Sequence, residues 1–214
     1  QEVLEELGKQ PEGCNRLIEN LAAQGQLPAN RAWRRVRGLL ANNQVSDARR
    51  LAAALGSPLP EPLSAGNSTS QGGQEALLYS VIGQNARKEA GAPARLRSLS
   101  GSLSAEQSGF GWAVLGHHQA LSQNFGNALQ SFNQADRQQL NQEQWEWYAR
   151  SALRLNRWGD LKNIISAMPA KLQADPTWQY WLARSHAAEG NHSQAQSLYR
   201  QAAASGRNFY ALLA

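Results

Sequence analysis

Three stretches decide the fold: Asn124-Phe125-Gly126-Asn127-Ala128, Arg157-Trp158-Gly159-Asp160-Leu161 and Asn191-His192-Ser193-Gln194-Ala195. Each reads as a tight turn running into a helix. Their last residues, Ala128, Leu161 and Ala195, are spaced 33 and 34 apart. Trp147 and Trp181 each stand 14 residues before the aligned partner, Leu161 or Ala195. A two-helix unit of about 34 residues is the signature of a tetratricopeptide-type solenoid. Small side chains at Ala128 and Ala195 let paired helices approach, and the tryptophan fills the gap to the neighbouring pair. One unit cannot bury its apolar face alone, so units stack into a curved array. Trp33 to Ala48 has a similar look. The expected fold is all-α, a right-handed superhelix of stacked helical hairpins.

Outward from the repeats, helix starts and stops are readable. Leu4, Leu7, Leu17, Ile18 and Leu21 follow helix spacing, with a break from Gly8 to Gly13. A basic helix runs from Arg31 to Leu40, and Ala41-Asn42-Asn43-Gln44 makes a turn. Ser46 is a cap for a helix from Asp47 to Leu55, which Gly56-Ser57-Pro58 ends. Pro58, Pro60 and Pro62 follow, then a run of Ser, Asn and Gly to Gly73. Pro lacks an amide donor, and Gly and Ser gain little from ordering, so this is a loop or linker. Two readings are open: it separates two subdomains, or it is a long loop in one continuous array. Helices resume at Gln74, and Gly91-Ala92-Pro93 opens a short one to Leu99. Ser104 with Gln107, and Asn141 with Gln144, fit capping boxes. Asp175-Pro176 joins a cap acceptor to a first-turn proline. The expected organisation is first hairpins over 1–57, a Pro/Gly/Ser-rich loop over 58–73, and stacked hairpins over 74–214.

The composition agrees. Of 214 residues, 42% are hydrophobic and only 17% charged. Ala and Gln suit helices, while Val and Ile are scarce, which argues against a β-sandwich or a parallel α/β sheet. No apolar run approaches the roughly 18–20 residues of a membrane helix. No basic start leads into a short apolar run, so no secretory signal is read. The sequence begins at Gln1 rather than Met and stops in Phe209-Tyr210-Ala211-Leu212-Leu213-Ala214, which reads as mid-helix. An internal piece of a longer protein is expected. The 21 Lys and Arg against 16 Asp and Glu leave a net charge of +5, most of the cations being Arg. That excess suits an anionic partner as well as a solvated surface. It is thin for nucleic acid, which needs several clustered cations. Cys14 alone can make neither an internal disulfide nor a CxxC metal site.

Catalytic motifs are not found. Adjacent His117 and His118 point about 100° apart on a helix and do not easily share a metal. His186 and His192 straddle the turn at Glu189-Gly190. GxSxG, GxGxxG, HExxH and P-loop patterns do not occur. Glu143 and Glu146 read as first-turn residues suited to the helix dipole. No cofactor and no metal are expected. Arg31, Arg34, Arg35 and Arg37 fall within two helical turns, with Arg49 and Arg50 on the next helix. Arg31, Arg34 and Arg37 share a face near Trp33. They form either a patch for an anion or glycan, since Arg forks to carboxylates and stacks on aromatics, or a solvated outer face. Trp112, Trp145, Trp147, Trp158, Trp178 and Trp181 are sugar-stacking platforms or, at helical spacing, inter-helix core.

The C-terminal stretch carries a family pattern. Trp178-Gln179-Tyr180-Trp181-Leu182-Ala183-Arg184, then Glu189-Gly190, Ala195, Leu198-Tyr199 and Asn208 to Ala214, resembles the W-x-Y-W-x-A-R…G…A…L…F-Y-x-x-L-A run of soluble lytic murein transglycosylases. It lies near the end of their large superhelical domain. Gly13-Cys14-Asn15-Arg16-Leu17, Gly25-Gln26 and the Arg-rich helix resemble an earlier part. Residues 57–110 match only in helical character. Trp178, Tyr180, Trp181, Arg184, Phe209 and Tyr210 are thus the signature positions.

The resemblance implies a periplasmic protein of Gram-negative bacteria, with outer-membrane association open. Its family cleaves the β-1,4 bond between N-acetylmuramic acid and N-acetylglucosamine and leaves a 1,6-anhydro end. One glutamic acid in a C-terminal lysozyme-like domain acts as acid, then base. The family's Glu-Ser pair, Gly-Leu-Met-Gln run and Ala-Tyr-Asn-Ala-Gly run do not occur here, where the sole Met is Met168. No catalytic residue is carried over. The family also often pairs a cysteine near Cys14 with one upstream, and no upstream cysteine stands here. The parent protein is expected to be an enzyme and this stretch a non-catalytic scaffold. Its expected partners are peptidoglycan through the parent, the catalytic domain of the same polypeptide and other cell-wall enzymes, with no nucleic acid. The alternatives are a free-standing tetratricopeptide-like interaction module and an RNA-binding helical repeat.

Overall fold

The computed structural model describes residues 12–204 and 209–213. The spacing of Leu4 and Leu7, the start of the break at Gly8, and Asn208 and Ala214 lie outside the described residues. Among the described residues the secondary structure is helical, with no strand. The chain divides into two compact units, Gln1–Leu115 and Gly116–Ala214. Among the described residues no helix is long and apolar enough to cross a membrane.

The first unit holds α1 (Glu12–Ala23), α2 (Ala29–Ala41), α3 (Val45–Ala54), α4 (Gln71–Ile82), α5 (Ala92–Ser98) and the start of α6 (Ala105–Leu121). Ile18, Trp33, Val36, Leu39, Leu40, Leu51 and Leu59 pack into one buried cluster. Burying such a side chain is worth about 1.5–3 kcal/mol, which is what holds α1, α2 and α3 together. The second unit continues α6, then α7 (Phe125–Gln134), α8 (Gln142–Arg154), α9 (Trp158–Ala167), the single turn α10 (Ala170–Gln173), α11 (Pro176–Ala188), α12 (His192–Ala203) and α13 (Phe209–Leu213). Here α8 packs on α7 and α9, α9 on α11, and α11 on α12. Ala128, Leu161 and Ala195, the residues that align the repeats, are all buried.

What recurs is a backbone turn. Asn43, Gln123, Asn156 and Gly190 have φ of 59°, 60°, 54° and 82°, the left-handed region. Each is followed by the same closure. The amide of Asn156 donates to Leu153 O at 3.0 Å and that of Arg157 to Ala152 O at 2.9 Å. Gly190 and Asn191 repeat this onto Ala187 and His186, Gln123 and Asn124 onto Ala120 and Gln119, and Asn43 and Gln44 onto Leu40 and Leu39. This is the Schellman arrangement, which satisfies the last carbonyls of a helix and turns the chain at once.

The capping signals hold. Gln107 N donates to Ser104 Oγ at 3.1 Å, and Ser104 N donates to Gln107 Oε1 at 2.9 Å. Asn141 and Gln144 reciprocate at 2.8 and 3.0 Å. Asp175 Oδ1 accepts from Thr177 N at 2.8 Å. Two starts differ. Ser46 caps nothing, because the turn at Asn43 delivers the chain into a helix that already begins at Val45. Helix α4 begins at Gln71, not Gln74, because Ser70 Oγ accepts from Gly73 N at 3.1 Å. Gly72 is required there. Its amide donates to Ser57 Oγ at 3.0 Å, and a Cβ would stand 2.4 Å from the carbonyl oxygens of Ser57 and Pro58.

Candidate functional site

The second unit carries a groove of about 720 Å³. Helix α8 lines it with Trp147, Arg150, Leu153 and Arg154, α11 with Thr177, Trp178 and Trp181, and α13 with Tyr210. Residues at i, i+3 and i+7 share a helix face, which is how Trp147, Arg150 and Arg154 come to one wall. The facing wall arises from the same repeat, since Trp147 and Trp181 occupy equivalent positions.

Arg150 ties the walls together. Its guanidinium carbon lies 5.2 Å from the Trp147 ring centre and 5.8 Å from that of Trp178. Its Nη2 donates to Glu146 Oε2 at 2.8 Å, so its charge is already matched. Arg154 stands one turn further on, exposed, 6.0 Å from the Phe125 ring centre. Among the described residues it makes no ion pair. The tryptophans divide by role. Trp112, Trp145 and Trp178 are buried core, whereas Trp147, Trp158 and Trp181 are half-buried. Of these, Trp147 and Trp181 present ring surface to the groove.

The signature residues gather behind that wall. Tyr180 is buried, and its ring lies 5.3 Å from Trp181, 5.8 Å from Tyr199 and 5.5 Å from Tyr210. Tyr210 also meets Trp181 edge-on at 6.3 Å and Phe209 at 5.1 Å. Such pairs are worth about 0.5–1.5 kcal/mol beyond their burial. Arg184 donates from Nη1 to the Tyr180 hydroxyl at 3.1 Å. That bond holds its guanidinium above the usual range, and burial pushes the Tyr199 hydroxyl up. Phe209 remains 68% exposed. The structure thus joins Tyr180, Trp181, Arg184, Phe209 and Tyr210 into one aromatic assembly, while Trp178 meets Arg150 instead; Trp178, Trp181 and Tyr210 reach the groove. Sequence reading missed Arg150 and Arg154. A signal existed, because Arg150 and Arg184 each follow Trp147 and Trp181 by three residues.

Chemically the groove offers flat aromatic faces and guanidinium charge. Among the described residues its lining carries no carboxylate, imidazole or thiol. His117 lies elsewhere in this unit, with Nε2 3.4 Å from Glu143 Oε1. Among the described residues no three His, Cys, Asp or Glu side chains converge as a metal would require.

The arginines of the first unit, read from the sequence as either an anion or glycan patch or a solvated outer face, do not share one surface. Arg37 is buried, and its Nε meets Glu75 Oε1 at 3.1 Å while its Nη2 meets Glu106 Oε1 at 3.0 Å. It is neither a glycan contact nor part of a solvated face. The reason is that α2 is covered on nearly all sides, and Glu75 of α4 enters the core to meet the charge. Arg35 is buried too, donating to Asn15 Oδ1 at 3.0 Å. Arg31 and Arg34 are half-buried, and Arg49 and Arg50 pair with Glu61 and Glu19. Glu75 Oε1 also accepts from Gln71 and Gln107, both at 2.9 Å. Burial pushes the Glu75 carboxyl up, against the downward pull of Arg37 and the two amides. Cys14 is a half-buried free thiol.

No protein-family model matches the chain, and no curated protein matches it. Among solved structures, the chain is similar to an inactive mutant of the lytic transglycosylase Slt from Pseudomonas aeruginosa, with a TM-score of 0.58 and 23% identity. The match covers 98% of this chain and 37% of that one, so the chain spans little more than a third of its neighbour's length. The likeness is one of fold.

Proposed function

We propose that this chain is the non-catalytic helical scaffold of a peptidoglycan lytic transglycosylase, working in the periplasm. On this reading the parent protein cleaves the bond between N-acetylmuramic acid and N-acetylglucosamine to 1,6-anhydro products, and the acid that does so lies outside these residues. The helices from Glu12 to Ala54 and those from Gln71 onward are taken as successive hairpins, with the Pro/Gly/Ser-rich loop before Gln71 between them. One observation carries the reading: nearly the whole chain matches a lytic transglycosylase in fold, yet it accounts for only 37% of that protein. The signature residues Tyr180, Trp181, Arg184, Phe209 and Tyr210 support it, because they build one aromatic assembly. The buried Glu75 supports it in another way, since a carboxylate held by Arg37 and two amides serves packing and has no access to substrate. A fold alone does not fix an activity, so the test is functional. Incubated with purified sacculi, this chain should release no 1,6-anhydromuropeptides above a buffer control. Release above that control overturns the scaffold assignment.

A further inference from the structure

The groove in the second unit has the size of a ligand site, within the range of about 300–1,000 Å³ typical of small-molecule pockets. Its walls say what would fit. Trp147 and Trp181 are half-buried and both line the groove, the Arg150 guanidinium lying over the Trp147 ring. Flat aromatic faces favour ligands with apolar faces of similar width, such as the C–H face of a pyranose ring. An extended peptide is served less well. Its backbone amides and carbonyls require polar partners, and among the described residues the lining offers only the Thr177 and Tyr210 hydroxyls besides its two arginines. Electrostatics narrow the choice further. Arg150 is neutralised by Glu146 and held against two indoles, whereas Arg154 stands exposed without an ion pair among the described residues. A guanidinium so placed complements a carboxylate, which it binds through two parallel hydrogen bonds.

We infer that this groove binds a carboxylate-bearing glycan strand, its sugar rings stacked on Trp147 and Trp181 and one carboxylate paired with Arg154. The peptidoglycan identity of that strand rests on the proposed function above. On this inference the groove holds the strand without cutting it.

The test is calorimetric titration of this chain with a tetrasaccharide of alternating N-acetylglucosamine and N-acetylmuramic acid, its lactyl carboxylates free. Saturable binding is expected, weakening as salt is raised. Arg154→Glu should weaken it about tenfold or more, because hydrogen bonds to charged groups are lost and repulsion replaces them. Trp147→Ala should weaken it as well. Arg154 is exposed at the C-terminal end of α8, so Arg154→Glu should keep the wild-type circular-dichroism spectrum and a cooperative melt only a few degrees lower, which separates lost binding from lost fold. No saturable binding at about 1 mM ligand overturns the inference. So does equal affinity for the uncharged N-acetylglucosamine tetramer, tighter binding of an acidic peptide, or indifference to Arg154→Glu. Two further arms separate this inference from the reading beneath it. If the chain sediments with intact sacculi but ignores the tetrasaccharide, the groove is wrong and the peptidoglycan reading is supported. If tetragalacturonate binds equally well and with the same dependence on Arg154, the groove is supported and the peptidoglycan reading is undermined.

Discussion

The Arg37 guanidinium and the Glu75 carboxylate meet at 3.1 Å, with the two side chains only 2% and 0% exposed. Both charges have left water, and each is costly without the other. A buried pair of this kind adds little over an apolar replacement, but removing one member strands its partner. Arg37→Ala should therefore cost about 3–5 kcal/mol at neutral pH, measured by urea unfolding. A loss below about 1 kcal/mol would show that Glu75 finds compensation elsewhere.

Glu75 also predicts an unusual pH dependence. Burial raises its folded pKa above the unfolded value, so the native state holds the proton more tightly. Stability from this group is present in full below the unfolded carboxyl range and is lost as pH rises through the folded pKa. Wild type should thus lose stability relative to Glu75→Gln as pH rises from about 4.5 toward neutrality. Parallel denaturation curves for the two proteins across that window check it. A difference that grows in favour of wild type with rising pH would mean that Arg37 outweighs burial.

Gln123 is a side-chain-bearing residue at φ 60° in a turn where an equivalent position holds Gly190. Left-handed backbone costs an ordinary residue about 1–2 kcal/mol, less for Asn and nothing for Gly. Gln123→Gly should stabilise the chain by about 0.5–1 kcal/mol, and Asn156→Gly by less. Thermal melts should rank them in that order, with shifts of roughly 2–4 °C per kcal/mol.

Gly72 makes the opposite prediction. A methyl group there would press on two carbonyl oxygens at 2.4 Å, and these are backbone atoms that cannot rotate away. Gly72→Ala should destabilise by about 1–3 kcal/mol, despite the better helix propensity of alanine. An unchanged melting temperature would show that the loop over 58–70 lifts off the start of α4 at little cost.

Local structure was the most legible part of this sequence. Ser104 with Gln107, Asn141 with Gln144, and Asp175 before Pro176 each specify a helix start through bonds spanning three residues or fewer, and all three form. The 33- and 34-residue spacing exposed the repeat because one turn geometry recurs. Relations between distant residues were less accessible. Arg37 looked like a surface cation because its partner, Glu75, lies 38 residues away, just beyond a stretch rich in Gly and Ser. Gly72 and Gly73 read as helix breakers, yet they admit the loop carbonyls that pin the helix start. The groove was half legible. The equivalence of Trp147 and Trp181 was plain, but which indoles keep an open face depends on packing that one strand of sequence does not reveal.

The recurring turn has a bearing on how such a chain diverges. Closure at Asn43, Gln123, Asn156 and Gly190 is made entirely by main-chain amides and carbonyls, so those sites hold glycine, asparagine and even glutamine at a cost of no more than about 1–2 kcal/mol. Substitution can then erode the text while the joints keep their angle. A polypeptide jointed in this way can retain a shared architecture long after fewer than one residue in four agrees with that of its solved counterpart.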